Sequence, residues 1–378
     1  MRNCKRMPYA QIIRWRIRVS YALLALMLAA PARAVGLDAE QYDIFGASEV
    51  DESIPDEAQD ILGDVGVKDA LEPEGLFSRL RSALGERLRG LWGEAAAGAV
   101  KLLAVAALIS ACSAFATETS RRYVSIAGCL AVAGVAFGDA SAWINTGAET
   151  IEELNLFSHA LLPCLAATAA AGGSAAGAAA KYAATSLFMD VFITLSRSLL
   201  LPLAYALLAV RTASAALGNS ALDGAARLIK WLCTLLTTVV MTAFTVYLSL
   251  SGAVTGAADV VTSKAAKTAI STVLPVVGGI ISDAAGTLVA GAGLLRSAVG
   301  ALGAVVIAAI CLTPFLALAL RYLLYKAAAA LAHCFADSDL AGLIGDVGGV
   351  FGLVLGVTGA CAAMLYISII SAVKAVGV

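Results

Sequence analysis

Residues 297–320 read SAVGALGAVVIAAICLTPFLALAL, without a charged or amide side chain anywhere in the run. As a helix, a run of this length crosses the roughly 30 Å hydrocarbon layer of a bilayer. Its neighbours repeat the pattern. Residues 229–251, IKWLCTLLTTVVMTAFTVYLSLS, hold a single charge, Lys230. Further apolar runs cover 95–116, 123–143, 157–176, 183–213, 269–296 and 348–373. The composition agrees: of 378 residues, 60% are hydrophobic and 14% are charged, against about 25% in a soluble domain. So little charge cannot cover a soluble protein of this size. A soluble enzyme, a disordered chain and a nucleic-acid binder are excluded. The expected fold is all-α: a polytopic helical membrane protein of about six to eight membrane segments, embedded in a lipid bilayer.

The charge that exists is segregated. Residues 1–34 hold seven Lys and Arg and no acid, whereas 35–78 hold thirteen acids and one base, Lys68. A basic start, a short apolar core at 21–30 and the small-x-small pattern Ala32-Arg33-Ala34 read as a signal peptide over 1–34. The alternative is an uncleaved anchor; in either case the segment after residue 35 is translocated across the membrane. Residues 35–75 then form a short acidic extracytoplasmic arm, either a solvated leader or a docking surface. Over 76–92, Leu76, Leu80, Leu84, Leu88 and Leu91 recur at helical spacing between arginines. This predicts an amphipathic helix lying along the membrane surface or packed within an assembly. The membrane domain occupies 93–378.

Loop charge gives part of the topology. Arg121 and Arg122 predict a cytoplasmic turn after the first span. An acidic outer loop is expected at 144–156, followed by a return to the inside at Lys181. Arg211, Arg227 and Lys230 then conflict with a single crossing at 183–213. A re-entrant hairpin broken between Arg197 and Pro202 would restore the parity, since broken backbone is tolerated where protein or a water-filled cavity surrounds it.

No P-loop, HExxH or GxSxG motif is present, and the two histidines, His159 and His333, are far apart in sequence. No enzymatic activity and no cofactor are expected. The eight cysteines show neither metal-ligand spacing nor a disulfide framework. Glycine and intramembrane charge are more informative. Gly348, Gly352 and Gly356, with Gly345 and Gly349 beside them, form a small-residue seam on the last span, packing helices within one subunit or between the subunits of a homo-oligomer. Asp190 and Arg197 lie about two turns apart on one helical face, serving either polar packing or a solute pathway. In the stretch 264–286, Lys264 and Lys267 precede Pro275, then Gly278-Gly279, then Asp283. Proline and paired glycine inside an apolar run break a helix, giving a discontinuous element of the kind that lines transporter sites, or an interfacial hairpin.

The run Leu274-Pro275-Val276-Val277-Gly278-Gly279-Ile280-Ile281-Ser282-Asp283 resembles the signature of the stage III sporulation protein AE family. Lys264-Ala265-Ala266-Lys267, the segment Ala160-Leu161-Leu162-Pro163 ending in Gly172-Gly173, and the order of parts along the chain are similar to that family too. The resemblance covers about 95–378. It implies a polytopic, non-enzymatic protein of the mother-cell membrane around the forespore. Its partners would be the other membrane proteins of a secretion-like channel complex that supports late forespore gene expression. On that reading, 183–213 and 269–296 line a conduit and the seam at 345–359 packs protomers or neighbouring helices. A secondary transporter of a small solute and a non-conducting scaffold for partner proteins are the alternatives.

Overall fold

The structure is a computed structural model that describes residues 39–71, 73–273 and 278–374; side chains are described outside 251–290 and a few further positions. Ala32, Ala34 and Pro275 lie outside the described residues. Among the described residues every regular element is helical. Three short helices, α1 (Ala39–Ile44), α2 (Ala47–Glu52) and α3 (Asp56–Leu62), and a 3-10 turn (Asp69–Leu71) precede the long helices. These are α4 (Pro73–Phe115), α5 (Glu118–Ala169), α6 (Ala175–Leu195), α7 (Leu201–Leu217), α8 (Ser220–Val273), α9 (Gly278–Ala332) and α10 (Ser338–Lys374). A π-helical turn at Ala170–Ser174 joins α5 to α6, and another at Ser196–Leu200 runs α6 into α7. With α6 and α7 taken as one, six helices among the described residues are long and apolar enough to cross a membrane.

Neighbouring long helices run antiparallel, and their contacts fix the register. A methyl on Gly128 of α5 would lie 2.6 Å from Ile109 of α4, so the two backbones pack closely just before and after their turn. Across α5 and α6–α7, Glu152 pairs with Arg197, and Tyr205 donates to Asn145 Oδ1 at 3.1 Å. Phe188 of α6 meets Phe244 of α8 edge-on at 5.5 Å. Tyr366 of α10 donates to the Ala304 carbonyl of α9 at 2.7 Å. The α7–α8 turn is tight because Gly218 adopts φ 64°, a left-handed cap open to glycine. Helices α9 and α10 are the spine: 61% of the most apolar window of α9 is buried, against 17% in α8.

Three departures from the sequence reading have local causes. First, 144–156 is not a loop. α5 runs unbroken through it for 52 residues, about 78 Å, so the run 123–143 and the run 157–176 as far as Ala169 belong to one helix. That segment holds one glycine and no proline, and its glutamates are good helix formers. Second, 183–213 is not a re-entrant hairpin. Pro202 has no N–H to return to the Ser198 carbonyl, and the chain absorbs the missing bond as a π turn without reversing. Arg121, Arg122, Arg211, Arg227 and Lys230 then lie toward the same end of the bundle, and the parity conflict disappears; Lys181 lies toward the other end, where it donates to the Ser371 carbonyl at 3.0 Å. Third, the amphipathic stretch 76–92 is the opening of α4, continuous with the first apolar run.

Residues 39–71 fold against the end of the bundle opposite that basic end. Val50, Leu62 and Val67 are fully buried in one cluster with Leu154 and Phe157 of α5 and Leu295 and Val299 of α9. Asp51 ties this cap together, accepting from Tyr42 Oη and, at 2.8 Å, from the Val67 amide. Arg79 at the start of α4 donates to the Leu62 carbonyl at the end of α3. A segment too polar to build a core alone thus borrows one from the bundle.

Candidate functional site

An ionic cluster around the buried Arg321 ties α4, α5 and α9 together at the ends of their apolar runs. Asp139 of α5 accepts from Tyr325 Oη at 2.5 Å and from Arg321 Nε at 3.3 Å, both of α9. The Arg321 guanidinium also lies 3.8 Å from Glu94 of α4 and 3.9 Å over the indole of Trp143. Only 4% of the Arg321 side chain is exposed. A charge at that depth persists because it has a carboxylate, a second acid and a π face around it. The helices can close on it because position 98 is glycine: a Cβ there would stand 2.6 Å from Tyr325 Oη and 3.5 Å from Asp139 Oδ2.

A second cluster joins α7, α8 and α10. Arg211 lies 3.2 Å from Asp223 and 3.4 Å from Asp346, and Ser214 Oγ donates to Asp223 at 2.7 Å. Neither cluster has the composition of a catalytic centre. Each matches opposite charges on three helices and so fixes their rotation and depth. Among the described residues no three His, Cys, Asp or Glu converge to hold a metal ion, and both histidines are exposed.

The sequence-marked residues are scattered. Asp190 is exposed on α6, and Arg197, half-exposed in the π turn, pairs with Glu152 rather than acting with Asp190. Pro202 opens α7. Lys264 and Lys267 belong to the last part of α8, and Gly278, Gly279 and Asp283 to the first turns of α9; their side chains lie outside the described residues. The glycine series divides. Added methyls at Gly345 and Gly348 would stand 3.2 Å from Ala329 and from Tyr325 Cβ, and at Gly352 2.9 Å from the Tyr322 ring, all on α9 of the same chain. Beside Gly349 and Gly356 there is open space.

Sequence reading missed Glu94, Asp139, Trp143, Tyr325 and Asp346. A signal existed for Asp139, the sole acid in the apolar run 123–143. The others carry none, because only the register of α4 and α10 against α5 and α9 brings them together. Arg296 of α9 stands apart: it is 2% exposed, and among the described residues none gives its three guanidinium nitrogens a hydrogen-bond partner.

Comparison with known proteins gives one family. The family model for stage III sporulation protein AE matches residues 71–376. A protein of Bacillus subtilis (strain 168) bearing that name is 27% identical over 188 residues, covering 50% of this chain and 47% of that protein. The match thus spans about half the length of this relative. No solved structure matches.

Proposed function

The chain belongs to the stage III sporulation protein AE family, and from this we propose that it is a membrane subunit of a secretion-like channel complex between mother cell and forespore, needed for late forespore gene expression. Membership carries a role in sporulation and the six apolar helices carry a place in the membrane; the rest is our reading. The observation that supports it is the polar outer face of the bundle. Asp190 is exposed on the outside of the largely apolar α6, and the exposed Glu152–Arg197 pair lies beside it between α5 and the turn into α7. Charge is costly against lipid and belongs against protein or a water-filled passage. The interior offers less room, since α9 and α10 are packed with Leu, Val, Ile and Phe. A conduit would therefore run between subunits, along the face of α6 that carries Asp190, and not through a single chain. The basic turns would face the mother-cell cytoplasm and the capped end the space between the two membranes.

The test is a late forespore reporter in the host lacking this gene. Wild type restores the signal after engulfment; Asp190→Leu combined with Arg197→Leu reaches the membrane at normal level but fails to restore it. A signal that persists in the deletion strain removes the reading. Uptake of a small solute by proteoliposomes holding this chain alone would replace it with a transporter. Normal function of the double variant would leave a scaffold.

A further inference from the structure

Between α8, α9 and α10 lies a groove of about 450 Å³. Lys230 of α8 and Lys326 of α9 stand at its rim, and Gly349, Gly352 and Gly356 of α10 form its floor with Leu353 and Val357. Neither ammonium makes a hydrogen bond or ion pair among the described residues. Asp346 lies within electrostatic reach of both ammoniums and also pairs with Arg211 at 3.4 Å, while Arg211 pairs with Asp223 as well, so three cations face two acids and the groove keeps a net positive charge. Thr234 and Thr238 also line the groove, but their hydroxyls donate to the carbonyls of Lys230 and Thr234 one turn back. Thr237 likewise donates to the Cys233 carbonyl, and the two lysines are the groove's cationic donors.

Depth and shape select the ligand. Lys230 is ten residues inside α8 from Ser220 and Lys326 six residues from the end of α9 at Ala332, so both lie about 9–15 Å from the turns at the basic end of the bundle. Trp231, 58% exposed beside Lys230, is the kind of side chain that settles at the headgroup level of a bilayer. From that level the floor runs deeper along α10, and nothing stands within 4 Å of the positions a Cβ would take on Gly349 and Gly356. A cationic rim above an apolar trough fits an amphiphile better than a small free anion, for which no ring of backbone amides is provided.

We propose that this groove binds one anionic phospholipid, its phosphate between Lys230 and Lys326 and an acyl chain along the glycine floor. The site is independent of whether the complex conducts. The lipid would seal α8 and α9 against α10.

The test uses the full chain purified in mild detergent, with lipid adducts counted by native mass spectrometry after exposure to phosphatidylglycerol or phosphatidylcholine. Wild type retains one phosphatidylglycerol in preference to phosphatidylcholine. Lys230→Gln with Lys326→Gln lowers that affinity about thirtyfold, the worth of two lysines near an anionic headgroup, and the paired Arg variant restores it. Gly356→Leu, which enters open space and leaves the charges in place, also displaces the lipid. Arg121→Gln with Arg122→Gln, basic but remote from the groove, retains it. Equal retention by wild type and the Lys variant overturns the proposal. So does thermal protection of wild type by inorganic phosphate alone equal to that by phosphatidylglycerol, which would make the groove a site for a free anion. Retention by Gly356→Leu equal to that of wild type overturns the acyl trough.

Discussion

At the scale of single residues, Gly98 and Arg296 make opposite predictions. Gly98→Ala places a methyl 2.6 Å from Tyr325 Oη and pushes that hydroxyl off Asp139. The loss should be about 1–3 kcal/mol, the usual cost of leaving a buried polar group short of a partner. Tyr325→Phe in the same chain removes the obstructing oxygen, so the double variant should lose less than the sum of the two single ones in thermal unfolding. Strict additivity would show that Gly98 is not there for the hydroxyl. Arg296 is buried, and its guanidinium has no partner among the described residues. Replacing an uncompensated buried charge with an apolar chain of similar length removes a desolvation cost. Arg296→Met should therefore raise the unfolding midpoint of the isolated chain. A lower midpoint would mean that the guanidinium contributes to the fold in a way its surroundings do not show.

Elements add constraints that no residue holds alone. The three close glycines of α10 meet α9 of their own chain. Gly352→Leu should accordingly separate α10 from Tyr322 and lower the stability of the monomer by about 1–3 kcal/mol, as overpacking does. An unchanged midpoint with loss of complex in cells would move the seam to a subunit interface. The cap makes a pH prediction. Burial raises the carboxyls of Asp51 and Glu57 above their ordinary values, although Tyr42 and the Val67 amide on Asp51, and Arg87 near Glu57, act in the other direction. An acid with a raised folded value binds its proton more tightly in the docked state. Docking is then strongest below the ordinary carboxyl range and weakens as pH rises through the raised value. Hydrogen exchange over 47–62, corrected for its intrinsic pH dependence, should show less protection at pH 8 than at pH 5, and Glu57→Gln should reduce the difference. Equal protection at both pH values would mean that the cap does not depend on these protons.

For the whole molecule, the charged outer face decides what the chain needs around it. A cysteine at Asp190, with the exposed Cys112 and Cys334 changed to serine, should react with a membrane-impermeant maleimide in the detergent-purified chain. In sporulating cells, where partners or further copies cover α6, it should be protected. Equal labelling in both settings would leave that face without a protein partner.

How much was legible in the sequence depends on the range of each force. Hydrophobic runs and segregated charge act along the chain, so an all-helical polytopic membrane protein could be read directly, with six to eight segments, and the 274–283 run was enough to suggest the family. Helix continuity was harder to read. Whether an acidic stretch such as 144–156 is a loop or mid-helix depends on what covers it, and whether Pro202 yields a hairpin or a π turn depends on neighbours that hold the helix straight. The least legible part was partnership across helices. Asp139, Arg321 and Glu94 are 45 to 227 residues apart in sequence, and only the packing of α4, α5 and α9 brings them within reach. The sequence by itself determined the solvent of this protein and its helical class, because burial and backbone hydrogen bonding in lipid are settled locally. The tertiary structure alone decided which charges are paired and which face outward, because an ion pair requires two helices to meet at one depth and one rotation.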